Sequence, residues 1–159
     1  MNYNISKSRY CSAVQCPKML WLQKNLPDEI GSSVMNQSVL DTGLAVGTLA
    51  MGLFGDFAEV PYGDLDNMIS TTNQLIEKKS PVIAEASLSI DGLFCSIDIL
   101  KVLENKEVEI FEVKSSTFVH DIYYHDVAFQ CYVLSQLGYT VKSCNITYIN
   151  NHYERMREL

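Results

Sequence analysis

Apolar positions recur at helical spacing up to Pro81 and alternate with polar ones after it, so helices should come first and strands later. Ser6 and Ser8 are candidate N-caps for a short helix running into Cys11 and Val14. Pro17 can open a further helical stretch through Met19, Leu20, Trp21 and Leu22, and Pro27 to Ser33 reads as a loop. A longer helix is expected from Val34 to Leu53, with Leu40, Leu44, Ala45, Leu49 and Leu53 along one face. Gly43, Gly47 and Gly52 weaken it by about 1 kcal/mol each relative to alanine, which points to close packing or a break. Asp64 should cap another helix, carrying Met68, Ile69, Thr72, Leu75 and Ile76 and stopped by Pro81.

Beyond Pro81 the pattern predicts a strand from Val82 to Ile90, a hairpin turn at Asp91-Gly92 and a return strand from Leu93 to Val102. A polar turn at Glu104-Asn105-Lys106 leads to a third strand, Val108 to Ser115. A helix from Asp121 to Leu137 follows, with Val127, Cys131 and Leu134 on its apolar side and Gly138 as its stop. Val141 to Ile149 forms the last strand. A three-strand meander followed by helix and strand predicts an α/β fold, a mixed sheet flanked by helices.

At 159 residues the chain is long enough for one domain with a substantial core. With 47% hydrophobic and 19% charged residues it is expected to be globular. No apolar run reaches the roughly 18 residues of a membrane span, and Met1 to Ile5 lacks the basic start of a secretory signal. The five cysteines are odd in number, scattered and without a CxxC pair, which disfavours a disulfide framework or a self-contained zinc site. A reducing, cytoplasmic setting is expected, with Cys95, Cys131 and Cys144 acting as small buried hydrophobes. The net charge of −7 counts against a nucleic-acid partner unless a local basic patch or a bound cation offsets it.

The chemistry is concentrated in Ile110-Phe111-Glu112-Val113-Lys114-Ser115-Ser116. On a strand Glu112 and Lys114 share a face with Val108 and Ile110, so two charges extend an apolar stripe. Charges in such a place are costly to bury unless matched or bound to a metal. Asp98, between two isoleucines on the preceding strand, can meet Glu112 if the strands pair. Two converging carboxylates make a hard oxygen site suited to Mg²⁺ or Mn²⁺. A lysine beside them can assist a metal-bound water and stabilise charge on a phosphate. A Glu-x-Lys triplet alone is usually a solvated pair; here it is joined by Asp98 and by Gln130 on the following helix. His120 and His125 fit surface or capping positions, His152 carries no reading, and Arg9, Lys18 and Lys24 fit a solvated helix face better than a nucleic-acid contact.

Three stretches carry a resemblance. The first runs from Ile5-Ser6-Lys7-Ser8-Arg9-Tyr10-Cys11 through Gln15-Cys16-Pro17-Lys18 to Leu20-Trp21-Leu22. The second joins Glu85-Ala86, Asp91-Gly92-Leu93-Phe94 and Asp98-Ile99-Leu100. The third joins Glu112-Val113-Lys114-Ser115-Ser116-Thr117 to Asp126-Val127-Ala128-Phe129-Gln130-Cys131-Tyr132-Val133-Leu134. In this order they resemble the RecB-like branch of the PD-(D/E)XK nucleases, which includes the CRISPR-associated adaptation exonucleases and a related uncharacterised bacterial family.

The resemblance implies a restriction-endonuclease-like core over residues 1–159, as the N-terminal part of a longer protein. It implies a DNA-cleaving activity dependent on Mg²⁺ or Mn²⁺. Asp98, Glu112 and the Val113 carbonyl would be metal ligands, Lys114 the catalytic lysine, Gln130 the glutamine of the helix motif and Tyr132 its companion in nucleic-acid binding. Many relatives carry a further ligand on the early helix; Gly47 stands there, and Glu85 is the candidate substitute. Cys16 resembles an N-terminal iron–sulfur ligand, but the C-terminal cysteines that would complete a cluster are not in this sequence, so no cluster is expected in it. The alternative is a noncatalytic nucleic-acid- or protein-binding module on the same fold.

Overall fold

Ser6 ends a two-residue strand, β1 (Ile5–Ser6), and caps α1 (Lys7–Gln15), its hydroxyl accepting the Arg9 N–H at 3.3 Å. The structure, a computed structural model, describes residues 5–30 and 37–154, and of 37–40 the backbone alone. Cys16 is extended and breaks the helix, and Pro17 opens α2 (Pro17–Asn25). A 3-10 turn, Pro27–Glu29, occupies part of the expected loop. The long early helix is α3 (Gln37–Gly52); its expected start at Val34 lies outside the described residues. Asp64 caps α4 (Leu65–Glu77) by accepting the Asn67 N–H at 3.2 Å.

The sheet contains β2 (Ala58–Glu59), β3 (Val82–Ile90), β4 (Leu93–Val102), β5 (Glu107–Lys114) and β6 (Thr140–Tyr148), with α5 (Asp121–Gln136) between the last two. Its order is β2-β3-β4-β5-β6, with β1 also paired to β4. The β3-β4-β5 meander is antiparallel, whereas β6, β2 and β1 join in parallel, so the sheet is mixed, as the pattern predicted, and it is open. The two short strands β1 and β2 were not anticipated; neither has enough residues to show a period.

Helices cover both faces. On one, α1, α4 and α5 pack Tyr10, Met68, Phe129, Val133 and Leu134 against Ile83, Ile97, Leu100, Val108 and Ile110. On the other, Ala50, Met51 and Phe54 from α3 and the residues just past it pack on Val82, Ile99, Phe111 and Val113. That corrects the expected orientation of α3. Leu44, Leu49 and Leu53 are 74–78% exposed, and the residues turned to the sheet are Ala50, Met51 and Phe54. Nor do Gly43, Gly47 and Gly52 mark a close approach, because a Cβ on any of them would meet nothing within 4 Å among the described residues. Among the described residues, no helix is long and apolar enough to cross a membrane.

Candidate functional site

The strand register sets three carboxylates in a row. Glu85 falls between the pairs Ala84–Ile99 and Ala86–Ile97, opposite Asp98. Asp98 follows the pair Ile99–Phe111, opposite Glu112. The ladder between β4 and β5 runs from Val102–Val108 to Ile99–Phe111 and then gives way to a side chain. Asp98 Oδ2 accepts the Val113 N–H at 2.6 Å. In an extended strand the N–H and C=O of one residue point to the same edge, so the Val113 carbonyl also faces β4. Beyond this gap β4 pairs with β1, at Leu93 and Phe94. Asp98 therefore lies in an interruption of the sheet, bounded by β5 at one end and by the start of α1 at the other.

Both β3 and β4 change face at this level. Ile83 and Leu100 enter the same core as Ala86 and Ile97, although regular alternation would separate them. The switch is made at Glu85, whose φ of +55° is left-handed, an uncommon state for a residue with a Cβ. Its carbonyl accepts the hydroxyls of Ser87 at 3.3 Å and Ser96 at 3.4 Å, while Thr72 Oγ1 from α4 accepts the Ser87 N–H at 2.8 Å. The distortion is thus held by hydroxyls from three elements.

Glu112 is 1% exposed and sits in a clamp. Lys7 Nζ, from α1, lies 3.1 Å from both of its oxygens and 3.4 Å from Asp126 Oδ1. Lys114 Nζ lies 2.6 Å from Glu112 Oε1 and 2.7 Å from Asp126 Oδ2. Gln130 Nε2 donates to Glu112 Oε2 at 2.6 Å and to Asp126 Oδ1 at 2.9 Å. Asp126 and Gln130 are one turn apart on α5, so both reach the same point. The Tyr123 ring stands 5.1 Å below the Lys114 ammonium, a cation–π distance. A cavity of about 290 Å³ opens beside the clamp, lined by Lys7, Lys114, Tyr123 and Asp126 among others.

Burial works against both ammonium groups, yet Glu112 and its neighbouring carboxylates hold Lys7 and Lys114 above the ordinary lysine range. Burial also disfavours the Asp126 anion, but Lys7 and the hydrogen bond from Lys114 outweigh it and lower its pKa. For Glu112 burial prevails and raises the pKa, with Lys7 pulling the other way. Glu85 is pushed up to about 7 by burial and then by the charge of Asp98. Two lysines thus match two carboxylates, and among the described residues no ion pair of the cluster reaches Glu85 or Asp98.

Of the residues singled out in the sequence, Asp98, Glu112, Lys114 and Gln130 come together, with Glu85 across the strand. Tyr132 does not join them: it is 53% exposed and two positions beyond Gln130, hence on another side of α5. Cys16 is an exposed free thiol at the junction of α1 and α2. Gly47 lies on α3, which packs on the opposite face of the sheet through Ala50. His120 and His125 are exposed, as expected of surface positions. Lys7 and Asp126 were missed as members of the cluster. The spacing of Asp126 to Gln130 was a usable signal; nothing around Lys7 marks it.

The oxygens of Glu85, Asp98, Glu112 and the Val113 carbonyl are hard donors, the type that Mg²⁺ and Mn²⁺ take. A cation here would favour the ionised form of Glu85, which burial and Asp98 oppose, and would lie beside Asp98. In the present arrangement, among the described residues, no three His, Cys, Asp or Glu side chains are grouped closely enough to hold a metal ion. The Lys7 ammonium lies on Glu112 instead. No family model matches the chain, and no curated protein matches it.

Proposed function

We propose that this chain is the core of a divalent-metal-dependent deoxyribonuclease with a restriction-endonuclease-like fold. The observation that carries the reading is the convergence of Asp98, Glu112 and Lys114 at the gap between β4 and β5, with Gln130 bonded to Glu112. Mg²⁺ or Mn²⁺ held by Asp98, Glu112, the Val113 carbonyl and Glu85 would polarise a phosphate and acidify an attacking water. The chain's own groups do the rest. Lys114, kept protonated by its carboxylate partners, presents positive charge where negative charge develops on the phosphate. The Val113 N–H fixes the Asp98 carboxylate, and Gln130 fixes that of Glu112. Lys7 and Lys114 are matched by Glu112 and Asp126, so in a chain of net charge −7 it is the bound cation that would offset the local negative charge. The expected setting is the cytoplasm.

The second reading, a noncatalytic nucleic-acid- or protein-binding module, is favoured by one contact. Lys7 addresses both Glu112 oxygens and can stand in for a cation there. The two readings part on Mn²⁺. Labelled single- and double-stranded DNA should be cleaved by the wild type with Mn²⁺, and Lys114→Ala should lower the rate by about 100-fold or more. Calorimetry should show Mn²⁺ binding that Asp98→Asn abolishes. Absence of Mn²⁺ binding in both the wild type and Lys7→Met would overturn the nuclease reading and leave the binding module.

A further inference from the structure

We propose that Cys131 and Cys144 form an oxidisable thiol pair, which a peroxide converts into a disulfide stapling α5 to β6. Their sulfurs are 2.6 Å apart, and both thiols are free. Such proximity follows from the fold. Cys144 pairs in register with Ile110, whose side chain faces α5, so Cys144 is on the same face of the edge strand. Cys131 lies on the α5 surface that overhangs that edge, partly buried against the core. The sequence pattern placed Cys144 inside; it is exposed, because among the described residues no strand lies beyond β6 and α5 covers that strand only in part.

Exposure and partnership separate this pair from the other thiols. Cys95 is fully buried, Cys16 is exposed with no sulfur beside it among the described residues, and Cys11 sits apart beside the lysine clamp. Cys144 is exposed and Cys131 partly buried, so Cys144 is the sulfur an oxidant meets first; burial and the contact with Cys144 also push the Cys131 thiol up to about 12. Its thiolate attacks the peroxide, breaking the O–O bond and giving a sulfenic acid and hydroxide. Cys131 then displaces the sulfenyl oxygen, the S–S bond forms, and the two thiol protons leave in water. In total, two thiols and one hydrogen peroxide give one disulfide and two waters. The inference does not depend on the nuclease reading, since it uses only α5 and β6.

The test uses the full chain, reduced, desalted, exposed to hydrogen peroxide and then alkylated. Lys142 lies between the two cysteines, so trypsin places them on separate peptides that only a disulfide joins. The expected result is a mass lower by two hydrogens, two of the five thiols protected, and a Cys131–Cys144 cross-linked peptide that thiol reductants release. Closing a loop of roughly 14 residues should raise Tm by about 5–10 °C. Cys131→Ser and Cys144→Ser should each abolish the cross-link, and Cys11→Ser should leave it intact. Recovery of Cys144 as a sulfinic acid with Cys131 still alkylatable, or a cross-link between other cysteines, would overturn the proposal.

Discussion

Glu85 combines a left-handed backbone with a carboxyl held near pKa 7 by burial and by Asp98, so its charge state should set how stability varies with pH. The folded chain binds that proton more tightly than the unfolded one. The resulting stabilisation is complete below the ordinary glutamate pKa and is lost as pH rises through about 7. Glu85→Gln removes the titration. In chelator, the Tm of the wild type relative to this variant should fall by several degrees between pH 5 and pH 8; parallel curves would contradict the assignment. Single residues also show where sequence reading stops. Glu112 and Lys114 were legible because alternation on one strand puts them on one face, and Asp98 because a carboxylate between isoleucines is conspicuous. Lys7 was not, because its partners are 105 and more residues away and no local pattern records such a distance. Tyr132, which the resemblance alone brings in, stands on another side of α5 from Gln130 and outside the cluster.

At the level of elements, the four long strands were legible almost to the residue, and the two-residue strands β1 and β2 were not. β5 runs Glu107–Lys114 where Val108 to Ser115 was expected, and the Asp91-Gly92 turn falls where the hairpin signal put it. Strands buried against helices carry long apolar runs, and Pro81 and Gly92 punctuate them. The α3 helix was legible as a helix but not in its orientation, since its apolar residues are spread around the axis. Its leucines were the conspicuous ones, yet Ala50 and Met51 are the side chains that turn inward. The two faces should therefore respond unequally. Leu49→Gln, on the exposed face, should change stability by no more than about 0.5 kcal/mol. Phe111→Ala, beneath the Phe54 ring at 4.7 Å between centroids, should cost about 3 kcal/mol in chemical denaturation. Equal costs would mean that α3 packs the other way round.

Across the whole molecule the sheet is most strongly held at its centre. β4 pairs with β3 along its length and with β5 at one end, and Ile99 and Leu100 are fully buried. Amide hydrogen exchange should be slowest at Ile83, Ile99, Leu100 and Ile110, with the outward amides of the edge strand β6 fastest among the long strands. Faster exchange in β4 than in β6 would refute this ranking. The candidate site stands on those central strands and is joined by a distant segment: β1 docks on Leu93 and Phe94, and Lys7 follows it directly into the clamp. Closing a loop of that length costs about 4 kcal/mol of chain entropy, recovered only once both ends have partners. A ribosome delivers Lys7 more than a hundred residues before Glu112 and Asp126. Lys7 must therefore wait for its carboxylate partners until β5 and α5 have emerged. Assembly of the charged cluster is in this way a late event of biosynthesis, completed after the strands that carry it.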